Sequence, residues 1–281
     1  MTIKSKAFFR KLFPCLLKFA ILFPAALLAL IPVWLVVTNS LKRSLDISVV
    51  PPAVFFRPVL THYTKIFLQD DFTIYFRNSF VITGISTIVT IFFSALAGYG
   101  FLISKARWIG KITDILLLSK MVMPITVLIP FYLILSTLNL AGGYPGPILA
   151  HSAINIPFAI WMLLGFMREL PKELLEAGRI DGCSRMGVFW RIVFPLLSSA
   201  LGAAIILAAQ YSWNEYLFAV QLTRINTYTL TVAIARFVGT VAVDWGKSSA
   251  AASITMVPII ILGFVMQKYL VRGLTAGAVK G

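Results

Sequence analysis

Charge is scarce in this sequence, and negative charge is scarcest. Charged residues make up 12% of the 281, with 10 Asp and Glu against 25 Lys and Arg. A soluble domain carries about 25% charged residues. Here hydrophobic residues reach 59% and the mean hydropathy is +0.90, so one or two water-soluble domains are excluded. Cysteine is almost missing: Cys15 and Cys183 stand far apart without CxxC spacing and are read as free thiols, with no disulfide or metal role. There is no HExxH, no Ser nucleophile elbow and no Cys/His ligand cluster, which removes the signatures of metallopeptidases and serine hydrolases. A phosphate-binding loop is missing too. Gly239 to Ser248, GTVAVDWGKS, has the Gly-Lys-Ser ending, but Val241 stands where the first glycine is needed. The chain is therefore expected to make no bonds itself and to bind no metal or cofactor.

What the sequence has instead is long uncharged runs. A helix needs about 20 apolar residues to cross a bilayer. The runs predict spans at about 15–38, 78–103, 113–137, 148–167, 197–222 and 248–267. The first follows a basic leader over residues 1–14, and its uncharged stretch is too long for a secretory signal core. Pro24 and Pro32 are expected to bend it. A short amphipathic helix is expected from His62 through Phe76, with His62 solvated in a loop. The net charge of +15 points to a membrane rather than to nucleic acid, since basic residues gather in cytoplasmic loops. Sixteen lysines and arginines fall on one side of these spans and eight on the other, which predicts N-in, C-in. The fold class is an all-α integral membrane protein, with residues 15–281 as one transmembrane domain and 168–195 as a cytoplasmic loop.

Polar residues inside spans are functional-site candidates by default. Lys120 reads as snorkelling to the cytoplasmic interface, with a buried functional lysine as the other reading. His151 and Asn155 either bond neighbouring helices or meet a substrate. Tyr211, Trp213, Asn214, Glu215 and Tyr216 cluster in the fifth span. Aromatic rings suit the apolar faces of a sugar, and amide or carboxylate groups suit its hydroxyls. Tyr211, Asn214, Glu215 and Asn155 are therefore candidate translocation-path residues, with Trp213 pointing elsewhere, to lipid or a partner.

The longest polar interruption of the second half is Pro171 to Leu197, PKELLEAGRIDGCSRMGVFWRIVFPLL. Pro171 suits a helix start. Leu174, Leu175, Ala177 and Ile180 can share an apolar face. Asp181-Gly182 breaks the helix, and Val188, Phe189, Ile192 and Val193 form a second stripe before Pro195. The pattern is helix, tight glycine turn, helix.

Glu176-Ala177-Gly178, Asp181-Gly182, Phe189, Ile192 and Pro195 resemble the EAA loop of inner-membrane permease subunits of ABC importers. Gly178, Cys183 and Phe194 depart mildly from that pattern; a glycine inside the first helix costs about 1 kcal/mol of propensity against alanine. WNEYLFAV at Trp213–Val220, Asp244-Trp245-Gly246, and the ending from Gly273 to Gly281 are similar to carbohydrate permeases of the maltose-type group. The resemblance implies the type I ABC importer permease fold in a bacterial or archaeal inner membrane. It implies pairing with a second permease, two ATPase subunits that use ATP and Mg, and an extracytoplasmic solute-binding protein, with no nucleic acid. It assigns Glu176, Ala177, Gly178, Asp181, Gly182, Arg185, Phe189 and Pro195 to coupling with the ATPase, and expects the tail to order only in the full complex. The competing reading of Glu215 pairs it with a basic group at the permease interface. The rival class is a self-sufficient ion-coupled secondary transporter or channel. Such carriers often show internal repeats, and neither the EAA-like loop nor WNEY recurs in this sequence.

Overall fold

The computed structural model describes the backbone of residues 3–104, 106, 108–237 and 243–276, and the side chains of 18–104, 106, 108–237 and 243–265. In chain order the helices are α1 (Ile3–Leu41), α2 (Ser44–Ile47), α3 (Thr61–Leu68), α4 (Phe72–Ile103), α5 (Ile109–Ser119), α6 (Pro124–Thr137) and α7 (Pro145–Arg168). Then come α8 (Lys172–Ile180), α9 (Arg185–Val188), a π-helical turn (Phe189–Val193), α10 (Phe194–Leu196), α11 (Ser198–Asn214), α12 (Leu217–Leu222), α13 (Leu230–Arg236) and α14 (Trp245–Ala276). No strand occurs among the described residues, in keeping with the all-α reading.

Four described helices are long and apolar enough to cross a membrane: Lys18–Leu41, α4, α7 and Trp245–Val265. Two pairs pass the same test together but are bent, α5 with α6 by 97° and Arg185–Leu196 with α11 by 78°. The count is thus four, or six if each bent pair is one span.

The expected spans 113–137 and 197–222 are not single helices. The first breaks over Lys120–Met123 because Pro124 opens α6, and the residue before a proline is pushed out of helical geometry; Met123 has ψ 129°. The second stops at Asn214, since Glu215 is extended with ψ 130°, and restarts at Leu217. By contrast, Pro24 and Pro32 lie inside the single element α1. The expected surface helix through Phe76 is also divided: α3 ends at Leu68, and Asp71, with φ 52°, starts α4. Of the tail, α14 reaches Ala276, and residues 277–281 lie outside the described residues.

The chain divides into two compact units, Met1–Asp70 with Phe237–Ile254, and Asp71–Arg236 with Thr255–Gly281. In the first unit His62 is not a solvated loop residue. It sits on α3, 3% exposed, and its Nε2 lies 2.9 Å from the Lys42 carbonyl. Its ring packs where a side chain on Gly246 would stand, so the glycine of Asp244-Trp245-Gly246 is needed for close approach. Lys247 closes this unit on Asp70 at 2.7 Å.

In the second unit α4, α7 and α11 pack together through small and hydroxyl-bearing residues, as expected where burial from lipid gives little drive and close contact must supply the attraction. Ser94, Ala95 and Gly98 are buried, and the Ser94 hydroxyl donates to the Ile156 carbonyl at 3.2 Å. Gly84 and Gly100, on the same helix, are not at such contacts: a Cβ added to either would meet nothing within 4 Å. Asn78, fully buried, donates to the Asn226 and Tyr228 carbonyls at 3.0 Å each and accepts from Tyr144 at 2.6 Å. It staples the segment after α12 onto the start of α4. Trp213 does not face lipid or a partner: it is buried, edge-on to Phe76 and Phe80, and its Nε1 donates to the Thr255 carbonyl at 3.1 Å.

Candidate functional site

The polar loop is built as a rigid hairpin of short helices. α8 ends in a Schellman motif: the Cys183 amide donates to the Gly178 carbonyl at 3.0 Å and the Gly182 amide to that of Arg179 at 3.1 Å. That closure demands a left-handed residue after the cap, and Gly182 supplies it with φ 80°. Ser184 then caps α9, its hydroxyl accepting from the Gly187 amide at 3.1 Å. The π turn at Phe189–Val193 leads into Pro195, which has no amide to donate.

One side of this hairpin is sunk into the second unit. Val188, Phe189, Val193 and Leu197 are buried in one cluster with Tyr99, Leu163 and Met167, and the Tyr99 hydroxyl donates to the Arg185 carbonyl at 2.8 Å. The expected apolar face of α8 is corrected here. Leu175 and Gly178 turn inward, whereas Leu174, Ala177 and Ile180 turn outward, with Ile180 86% exposed. Gly178 faces Ile192 so closely that a methyl there would meet its Cδ1. Glycine at this position is therefore a packing requirement, which sequence could read only as a lost propensity. Gly178→Ala should gain about 1 kcal/mol of helix propensity but lose it to the clash, so its thermal stability should rise only when combined with Ile192→Val. A Gly178→Ala subunit that melts higher on its own would show that Ile192 yields freely. Glu176, Ala177, Asp181, Gly182, Arg185 and Pro195 are all exposed, so the residues assigned to coupling form an outward surface except Gly178 and Phe189, which hold it in place.

A second group of polar residues lies inside the spans. Glu215, 8% exposed, accepts from the amides of Phe218 and Ala219 at 3.0 Å and lies 3.0 Å from His151 Nε2. His151, with no exposed surface, places its other ring nitrogen 2.7 Å from the Ser212 hydroxyl. Ser86 donates to Ser212 at 2.9 Å, and Ser152 donates to the Ser86 carbonyl at 3.2 Å. Asn155 donates to the His151 carbonyl at 3.0 Å and accepts from Lys120 at 3.3 Å. Within this chain Glu215 thus pairs with a histidine of α7 rather than with a group at the permease interface, and its carboxylate ties off the break between α11 and α12. Of the four candidate path residues, Tyr211 and Asn155 line a hollow of about 360 Å³ with Lys120, Phe158 and Leu207. Tyr211, Asn214 and Glu215 line a more open one of about 550 Å³ beside Pro124. Asn214 is exposed, and its amide donates to the Gln210 carbonyl at 2.8 Å.

Ser86 and Ser212 were missed in the sequence, because single serines in apolar runs are indistinguishable from packing residues. Lys120 folds over the rings of Tyr211, 4.9 Å from the centroid, and Phe158, 5.9 Å away. The interruption by Pro124 was the available signal.

Residues 90–276 match the family described as binding-protein-dependent transport system inner membrane component. The chain is 35% identical over 269 residues to the probable ABC transporter permease protein y4oR of Sinorhizobium fredii, covering 96% of this chain and 94% of that one. It is 34% identical over 257 residues to the melibiose/raffinose/stachyose import permease protein MelC of Bacillus subtilis, covering 89% and 91%. Its fold resembles a chain of a crystal structure of a bacterial ABC transporter involved in the import of the acidic polysaccharide alginate. The TM-score is 0.75 and the identity 20%, covering 96% of this chain and 98% of that one.

Proposed function

The chain belongs to the binding-protein-dependent transport system inner membrane components, a family of transport permeases and not of enzymes, and we propose that it forms half of the translocation pathway of an ATP-driven sugar importer. A second permease forms the other half, two ATPase subunits that use ATP and Mg dock beneath, and an extracytoplasmic binding protein delivers the sugar. Both termini face the cytoplasm, in line with the basic-residue count. The cargo named for the Bacillus relative, melibiose, raffinose and stachyose, supports a carbohydrate.

The observation that carries this reading is the two-faced loop. Its inner side is fixed in the core of the spans by Phe189, Val193 and Leu197. Its outer side presents Leu174, Ala177 and Ile180 beside Glu176 and Asp181. An exposed apolar stripe on a polar loop has no use in a lone chain, but it suits a partner's cleft. A push on the hairpin reaches α4, α7 and α11 through rigid packing.

Purification from the native membrane tests this. The chain should copurify with a second permease and an ATPase, and reconstituted uptake should require all of them together with the binding protein. Sugar transport by the isolated chain in liposomes would overturn the proposal in favour of a self-sufficient carrier.

A further inference from the structure

Lys120 is a cation without a counterion. It sits in the break between α5 and α6, its ammonium donating to Asn155 Oδ1 at 3.3 Å. Among the described residues no carboxylate lies within ion-pair distance of it, the only ion pairs being His151–Glu215 and Lys247–Asp70. Glu215, which follows α11, is already occupied by His151 and two amides. An ammonium has three donors, and on this half-buried lysine only one of them has a hydrogen-bond acceptor among the described residues. Around it the wall of the hollow is apolar or aromatic, with Leu117, Phe158, Met162, Leu207 and Tyr211. The Tyr211 hydroxyl makes no hydrogen bond to any described residue, which leaves one more polar group facing the same space.

An unpaired charge in such surroundings is costly. The rings of Tyr211 and Phe158 offset part of that cost, but they leave the donors open. An occupant that returns the rest must carry a negative charge, and one that also uses the two rings must present an apolar ring face. A cavity of about 360 Å³ falls within the usual range for small-ligand sites.

We propose that Lys120, with Tyr211 and Phe158, forms an intramembrane subsite for the anionic group of an acidic saccharide, such as a uronate. This rests on the importer reading and adds the charge class of its cargo. Asn155 acts as a positioning residue. Its amide is held by the His151 carbonyl, so its oxygen is fixed towards Lys120 and orients the ammonium into the hollow.

The test uses the importer complex in discs of zwitterionic lipid, so that no lipid headgroup can supply the anion. Labelled glucuronate and glucose are titrated by equilibrium dialysis. Glucuronate should bind on the order of tenfold tighter than glucose, as expected for one charged hydrogen bond. Lys120→Met should erase the difference, and Lys120→Arg should keep most of it. Equal binding of the two sugars overturns the inference. So does a preference that survives Lys120→Met. Loss of the second permease from the Lys120→Met complex also overturns it, by showing that the partner chain supplies the anion. A preference for glucuronate that disappears when anionic lipid is added assigns the site to a headgroup and overturns it too. Binding-protein-stimulated ATP hydrolysis in the same preparation separates the two readings. Normal stimulation without a glucuronate preference sinks this inference alone, whereas no stimulation in any sugar sinks the importer reading and this one with it.

Discussion

Glu215→Ala should destabilise the subunit by about 1–3 kcal/mol for each buried hydrogen-bonding group it leaves unpaired. That is a large share of the marginal stability typical of folded chains, so the melting temperature should fall clearly. The carboxylate is engaged on every side. It accepts from the Phe218 and Ala219 amides at 3.0 Å and meets His151 at 3.0 Å. Truncation strands the two amides at the start of α12 and leaves His151, wholly buried, facing no acceptor. Glu215→Gln should cost less, because the amide oxygen can still accept from Phe218. His151→Ala should recover part of the Glu215→Ala loss, since the two residues form one network and their effects are not additive. Thermal unfolding of the purified complex measures all three. A Glu215→Ala subunit that melts normally but transports a different sugar would restore the competing view of Glu215 as a substrate ligand.

This explains why the WNEY segment was legible as a motif but not as a mechanism. The sequence places a carboxylate in an apolar run, and physics requires a partner for it. Which partner depends on how α7 lies against α11, and no periodicity contains that. His151 stands 64 positions away. The long apolar runs themselves were readable, since length and hydropathy alone decide whether a helix can span. Their interruptions were less so. Pro124 breaks its span whereas Pro157 and Pro258 sit inside α7 and α14 without ending them, because neighbouring helices decide whether a freed carbonyl finds a donor. In the loop, Gly182 was read correctly as a turn, because positive φ is a property of the residue itself. Gly178 was read as a weakness because the residue that needs its absent side chain, Ile192, belongs to the next helix. Which side of α8 turns inward is not legible for a related reason: Leu174, Ala177 and Ile180 satisfy helical spacing as well as Leu175 and Gly178 do, and only tertiary packing distinguishes the buried stripe from the exposed one.

Gly182→Val should uncouple ATP hydrolysis from sugar uptake while leaving the chain in the membrane. The position adopts φ 80°, and a Cβ added there would meet nothing within 4 Å, so the cost starts with the backbone. That cost is conformational, about 1–2 kcal/mol for an ordinary residue held in the left-handed region and more for a β-branched one. The Schellman bonds at Gly178 and Arg179 close only in that conformation. Relaxing it swings α8 relative to α9, and so moves Leu174 and Ile180 relative to the anchored Phe189. Since 1–2 kcal/mol corresponds to roughly a 5- to 30-fold change in an equilibrium, binding-protein-stimulated hydrolysis should fall by at least that factor in Gly182→Val. Gly182→Asn, which tolerates the left-handed region, should stay near the unmodified level. Glu176→Lys is the charge control: the residue is exposed, so melting should be unchanged while stimulation falls. Insertion should survive in every case, because no membrane-crossing helix is touched. Full stimulation and uptake by Gly182→Val would mean that the turn's geometry does not transmit force. The loop would then be an ordinary solvated connection between spans.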